Sequence, residues 1–171
     1  MMAVLQVVRS LELKDAWITA GFVRNRVWDH LHGFDEPTPL NDIDVIYLDP
    51  ERIDPAFEKE QDGRLAERLP SLPWEVKNQA RMAERNGDPP YRSIDDALRH
   101  WCETPTAIGV QLNQDDQVVT TAPLGLGDLF ALVVRPTPFA RSHPRKLAQY
   151  KARMAKKNWP GLWPRIRVLD L

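Results

Sequence analysis

Apolar and polar positions along the chain alternate between a helical period and a strand period. Val4, Leu5, Val8 and Leu11 recur on one side of residues 3–13 and predict a helix. The short apolar run "AWITAG" (16–21) reads as a strand that stops at Gly21. In "FVRNRVWDHLHG" (22–33), Val23, Val27 and Leu31 lie four apart and Gly33 supplies a stop, so a second helix follows. "FDEPTPLN" is a loop, and residues 42–48 are a strand whose Ile43, Val45, Ile46, Tyr47 and Leu48 are β-branched, aromatic or aliphatic. Asp49-Pro50 ends it.

Further along, the pattern predicts a helix near 54–68, a strand at "PWEVKNQ" (73–79) and a helical turn broken at Asn86-Gly87. Ser93 and Asp96 stand near capping-box spacing, so a helix opens there. "TAIGVQL" and "QVVTTAPL" flank "NQDD" and predict a hairpin. Helices at 127–134 and about 144–157 come next, separated by the Pro-rich joint "RPTP", with Trp159 and Trp163 expected to clamp the tail down. Strands alternating with helices, plus a hairpin, give the α/β (α+β) class: a mixed sheet with helical cover.

Length and composition add little to that picture. A chain of 171 residues fits one domain, with a core over about 15–134 and a basic helical extension over about 135–171. The single cysteine, Cys102, excludes an internal disulfide and fits a reducing, cytoplasmic setting, and it reads as a small core residue. The N-terminus lacks a basic start and a small-residue cleavage site, and no apolar run approaches the roughly 20 residues that span a bilayer.

Charge changes the picture more. The net charge of −1 conceals 13 Lys/Arg against 23 Asp/Glu in residues 1–134, and 10 Lys/Arg against the single acid Asp170 in residues 135–171. Such a tail could hold polyphosphate or nucleic acid. The preferred reading is a solvated basic helix lying against the acidic body by charge complementarity.

The chemistry starts at Asp42 and Asp44. Two residues apart on a strand, they point the same way, about 6.6 Å apart along the chain. Like charges that close raise each other's pKa or demand a cation. Upstream, "TAGFVRN" feeds a strand through glycine into a helix, a turn whose amides and dipole suit a triphosphate. Downstream, Glu75 sits between Trp74 and Val76 on a strand that could bring a third carboxylate alongside. Paired aspartates can hold two Mg²⁺ (or Mn²⁺) ions, and a third carboxylate can complete the metal ligands or take a proton from an attacking hydroxyl. Arg24 and Asn25, in the first helical turn, can reach phosphate or ribose; Arg24 can equally pair with Asp42 or Asp29. Lys77 shares Glu75's strand face and can meet phosphate, whereas Asn78 and Gln79 suit buried backbone at the strand end. The four histidines form no recognisable metal set, and Trp17, Trp28 and Trp74 read as core.

Glycine, helix, Asp-hydrophobic-Asp and a later strand acid together resemble the polymerase β-like nucleotidyltransferase superfamily. "AGFVRNRVWDHLHG" looks like the Gly-Gly-x-Val-Arg-Asp-x-Leu-Leu-Gly signature of tRNA CCA-adding enzymes and bacterial poly(A) polymerases. Over about residues 15–165, the strings "GFVRN", "DIDVIYLD", "WEVKNQARM" and "APLGLGDLF" resemble a family of small bacterial nucleotidyltransferase-like proteins. The chain departs from those patterns in three places: Ala20-Gly21-Phe22 replaces a Gly-Gly or Gly-Ser pair, 21 residues separate Gly21 from Asp42, and Ala83 stands where Arg-Met-His is common.

The resemblance implies a nucleotidyltransferase fold and transfer of a nucleoside monophosphate from an NTP to a hydroxyl or phosphate acceptor, such as a small molecule, RNA or protein, releasing pyrophosphate. Asp42, Asp44 and Glu75 are then the metal and catalytic residues, and Gly21, Phe22, Arg24, Asn25 and Lys77 the nucleotide-binding ones. The alternatives are a non-catalytic nucleotide- or RNA-binding module on the same fold, favoured by Phe22 at the phosphate turn, and a metal-dependent phosphohydrolase, disfavoured by the lack of a histidine cluster.

Overall fold

The computed structural model describes residues 1–169; Asp170, the one acid of the tail, lies outside them. The elements run α1 (Met2–Arg9), β1 (Trp17–Thr19), α2 (Gly21–His32), β2 (Ile43–Tyr47), α3 (Pro55–Arg68), β3 (Trp74–Asn78), α4 (Gln79–Asn86) and α5 (Ile94–Arg99). They continue with a 3₁₀ turn at Thr104–Thr106, then β4 (Gly109–Leu112), β5 (Val118–Thr121), α6 (Gly127–Phe130) and β6 (Val133–Val134). The chain closes with α7 (Pro138–Ser142), α8 (Pro144–Lys156), α9 (Trp159–Leu162) and β7 (Arg167–Val168).

Five strands form one mixed sheet in the order β3-β2-β1-β4-β5. The β2–α3–β3 unit is parallel, and the other pairings are antiparallel. Alternation sorts β2: Ile43, Val45 and Tyr47 are buried with Ile18 and Val76 in the main core, among residues from α1, α2 and α3. Asp44 and Ile46 take the other face. Local signals hold the elements in place. Asp54 accepts from the Ala56 amide at 2.8 Å ahead of Pro55, Ser93 accepts from the Asp96 amide at 3.1 Å, and Gly33 and Gly87 cap their helices in the left-handed region.

The tail is fastened to α2 by tryptophan. Trp28 is fully buried, with Trp159 and Trp163 edge-on at centroid distances of 5.5 and 5.1 Å. The Trp163 Nε1–H donates to Asp29 at 2.8 Å, and the Trp28 Nε1–H donates to the Leu129 carbonyl at 3.1 Å. The expected clamp is therefore formed, at both predicted tryptophans.

The expected helix over 127–134 is corrected to α6 followed by β6. Leu132, at φ 57, breaks the helix, and β6 pairs in parallel with β7 from the chain's far end. Local periodicity carries no sign of that distant partner. The first helix stops at Arg9, short of the expected residue 13, where Glu12 turns to φ 53. The "RPTP" joint leads into a short helix, α7, capped by Thr137, whose hydroxyl accepts from the Ala140 amide at 3.0 Å.

Ala20 precedes α2 with φ 53 and ψ −121, a conformation an L-side chain rarely takes. Backbone strain of this kind costs of order 1–3 kcal/mol and persists only where the surroundings enforce it. Ala20→Gly is expected to raise the unfolding free energy by about 1 kcal/mol, the strain relief exceeding glycine's entropic cost. Denaturant unfolding measures it; an unchanged or lower value would show that the turn holds Ala20 without strain.

Candidate active site

The carboxylates sit on the sheet face turned away from the main core, beside a smaller buried cluster of Ile46, Ile94, Leu98 and Ala107. In the parallel register Asp44 lies opposite Glu75 and Ile46 opposite Lys77, so all four side chains share one face. Asp42 stands one pleat before Asp44. Together with Gly21 and Arg24 they line a cleft of about 670 Å³. Burial pushes the Asp44 carboxyl up to about 6; the charges of Asp42 and Glu75 push the same way, against Arg24 and Lys77. Burial is the larger cause, and the like charges add the repulsion expected of carboxylates on one strand face.

Such hard, crowded oxygens are the donors a divalent cation prefers. Among the described residues, however, no three His, Cys, Asp or Glu side chains are placed to hold a metal ion. Glu75 instead meets the Lys77 ammonium at 3.4 Å, a partner on its own strand. The donor chemistry at Asp42 and Asp44 fits a cation, and Glu75 is held beside them by a competing charge.

At the glycine turn, the Ala20 carbonyl accepts from the Val23 and Arg24 amides at 3.2 and 2.9 Å, which starts α2 at Gly21. The first amides of a helix have no intrahelical acceptor, and they open here beside the cleft. A Cβ on Gly21 would stand 3.5 Å from the Arg24 guanidinium and occupy the space in front of it. Phe22 packs into the main core, so its side chain is turned away from the cleft. Asn25 is also buried and accepts from Arg24 Nη2 at 2.8 Å.

Arg24 does not form the ion pairs anticipated with Asp29 or Asp42. Asp29 accepts from the Thr38 amide and hydroxyl at 2.9 and 2.6 Å, and from Trp163. The Arg24 guanidinium lies 4.4 Å from the Trp159 ring and 5.2 Å from Trp28, and its Nε lacks a hydrogen-bond partner. Burial pulls it down to about 10, opposed by Glu103, Asp42 and Asp44. Asn78 does the backbone work expected of it, donating to the Asp49 and Arg52 carbonyls at 2.7 and 2.8 Å, and Gln79 donates to the Lys77 carbonyl at 3.5 Å while also lining the cleft.

The opposite wall is the basic helix. Lys146, Gln149, Arg153 and Lys156 recur on one face of α8 and line the same cleft. The preferred reading of this segment as charge packed on an acidic body is thus corrected. Two of its cations do pair with the body, Lys146 with Asp88 at 2.7 Å and Arg153 with Glu103 at 2.6 Å, but they do so inside the cleft that holds Asp42 and Asp44. Glu103 and Arg153 were not among the site residues expected from the sequence. The charge asymmetry pointed to the helix; nothing local singled out Glu103, one acid among 24.

Known proteins match this arrangement. The sequence pattern of a nucleotidyltransferase family matches residues 6–168. No curated protein matches the chain. An NMR structure described as revealing a CCA-adding enzyme head domain is 35% identical, with a TM-score of 0.88 over 99% of this chain and 89% of that one. A CCA-adding enzyme in complex with CTP is 14% identical at a TM-score of 0.58, over 98% of this chain and 39% of its own. The Thermotoga maritima CCA-adding enzyme complexed with tRNA is 16% identical at 0.53, over 98% of this chain and 38% of its own. The last two share the fold alone, and this chain spans about two fifths of their length. With the family pattern running from the first helix to the last strand, and the fold of a CCA-adding enzyme head around the cleft, the chain belongs to this nucleotidyltransferase family.

Proposed function

We propose that the cleft transfers a nucleoside monophosphate from an NTP to a hydroxyl or phosphate acceptor, releasing pyrophosphate. The observation that carries this reading is the register that sets Asp44 beside Glu75, one pleat from Asp42, in a cleft opened by the glycine turn. A divalent cation, Mg²⁺ or Mn²⁺, held by Asp42 and Asp44 would offset negative charge on the attacking and leaving oxygens.

The chain's own groups divide the remaining work. The Gly21 and Phe22 amides, with the α2 dipole, bind the triphosphate. Arg24, kept in place by Asn25 and two tryptophan rings, presents a guanidinium with no acidic partner among the described residues. Glu75 accepts the proton of an attacking hydroxyl, and Lys77 holds it until an acceptor arrives or turns to a phosphate oxygen. CTP, bound in one matched structure, is the first nucleotide to try; a tRNA-bound match makes an RNA 3′-hydroxyl one acceptor to include.

The test incubates the protein with each labelled NTP, Mg²⁺ or Mn²⁺, and RNA or small-molecule acceptors. A labelled product with pyrophosphate release is expected, falling about 10²–10³-fold in Asp42→Asn and Asp44→Asn. NTP binding without turnover would make the protein a nucleotide-binding module, and release of phosphate in place of pyrophosphate would make it a hydrolase.

The raised Asp44 carboxyl sets a pH dependence. Its folded pKa, about 6, lies above the ordinary 3.8, so the folded state binds more protons than the unfolded one between those values. Stability from this group is therefore present at low pH and lost as pH rises from about 4 through 6. For metal-free protein, Asp44→Asn is expected to remove that slope and to gain about 1–3 kcal/mol at pH 7. It should also abolish the Mg²⁺-dependent rise in melting temperature. Calorimetry with and without Mg²⁺ decides; a loss above about 2 kcal/mol in the metal-free variant would mark Asp44 as structural.

A further inference from the structure

Glu103 is 1% exposed in the wall of the cleft. A buried carboxylate is tolerated only when its charge is compensated and its lone pairs are used. Arg153 does both: its Nε donates to the two carboxylate oxygens at 3.1 and 3.2 Å, and its Nη2 donates at 2.6 Å. The Arg153 side chain nevertheless stays 45% exposed and lines the cleft. A guanidinium carries five N–H donors in a rigid fork. Glu103 engages one edge of that fork, and Nη1 has no hydrogen-bond partner among the described residues.

Arg24 belongs to the same cluster. Glu103 is the strongest charge raising its pKa, Arg153 the strongest charge lowering it, and Asp42 and Asp44 follow. Asp44 likewise bears on Arg153. Arg153 alone bonds Glu103, so the Arg24 guanidinium keeps a positive charge with no bonded carboxylate among the described residues. Lys156, which follows Arg153 by three residues on the same helix face, adds another on this wall. These cations line the same cleft as the two aspartates.

Resting on the nucleotidyl-transfer reading, we infer that Arg153, held by Glu103 and acting with Arg24, binds the polyphosphate tail of the nucleotide from the wall opposite the glycine turn. A polyphosphate is the anion this geometry suits: it offers several non-bridging oxygens in a row, matching donors from two forks and the α2 amides. The basic C-terminal helix is then part of the nucleotide site.

The probe is inorganic tripolyphosphate with Mg²⁺, titrated calorimetrically into the full chain, with adenosine as an uncharged control. Arg153→Gln is expected to weaken tripolyphosphate about 10–100-fold, the range for a lost hydrogen bond to a charged group, and to leave the response to adenosine unchanged. Because that variant strands Glu103, the pair Glu103→Gln/Arg153→Gln is measured beside it. The pair leaves the net charge of the wall unaltered, so a loss of similar size assigns the effect to Arg153's own contacts. Lys151→Gln, on the exposed side of α8, is expected to stay within about twofold, as a distant screened charge should.

Unchanged tripolyphosphate affinity in Arg153→Gln or in the pair overturns the inference, and so does an equal loss in Lys151→Gln. If pyrophosphate release by the unaltered protein persists in that case, the transfer reading stands alone. An unaltered protein that binds neither tripolyphosphate nor any NTP defeats both.

Discussion

A β-strand has two faces, and β2 is required to serve both of them fully. Ile43, Val45 and Tyr47 are 0–1% exposed and cannot turn outward without opening the core. That requirement fixes where Asp44 points more firmly than any contact of Asp44 itself. A slip of one residue would bury the carboxylate and expose three large apolar side chains. The parallel partner β3 inherits the same constraint through Val76, and so Glu75 and Lys77 are delivered to the cleft face in register. The chemistry of the site is a by-product of the packing on its reverse.

The crossover that sets the register of β3 is locked by polar groups. Glu58 on α3 is 3% exposed, and accepts from the Asn78 amide and from Arg81 Nε, each at 2.9 Å. Asn78 in turn satisfies two carbonyls and the Asp49 amide of the loop after β2. Much of the "VKNQARM" string is thus architectural: Val76 packs, Asn78 and Arg81 tie, and only Lys77, Gln79 and Met82 line the cleft. A string that identifies a family does not have to be one that touches a substrate.

Local signals made part of this legible. Glycine stops, aspartate and serine caps and strand alternation placed α2, α3, β2, β3 and the hairpin close to where they stand, and the resemblance carried by "GFVRN" and "DIDVIYLD" agrees with the family pattern. The missing pieces all depended on distant partners. β6 needs β7, and Glu103 acquires its meaning only from Arg153, 50 residues on. Arg24 was read as a choice between phosphate and a nearby aspartate; the structure sets it against two aromatic rings, one of them supplied by the tail. Charge asymmetry revealed that the tail was unusual, but a charge count has no direction, and which face of α8 turns inward is decided by Tyr150 and the tryptophan clamp.

That clamp joins residues far apart in the chain: Trp163 reaches Asp29 across 134 positions. A ribosome adds roughly 5–20 residues per second, so the aspartate strand leaves the peptidyl-transferase centre on the order of 10 s before the helix that completes its cleft. Throughout that interval the nascent protein displays crowded carboxylates in a cleft that lacks its second wall. The order of synthesis therefore leaves the cleft with one wall until α8 has been made.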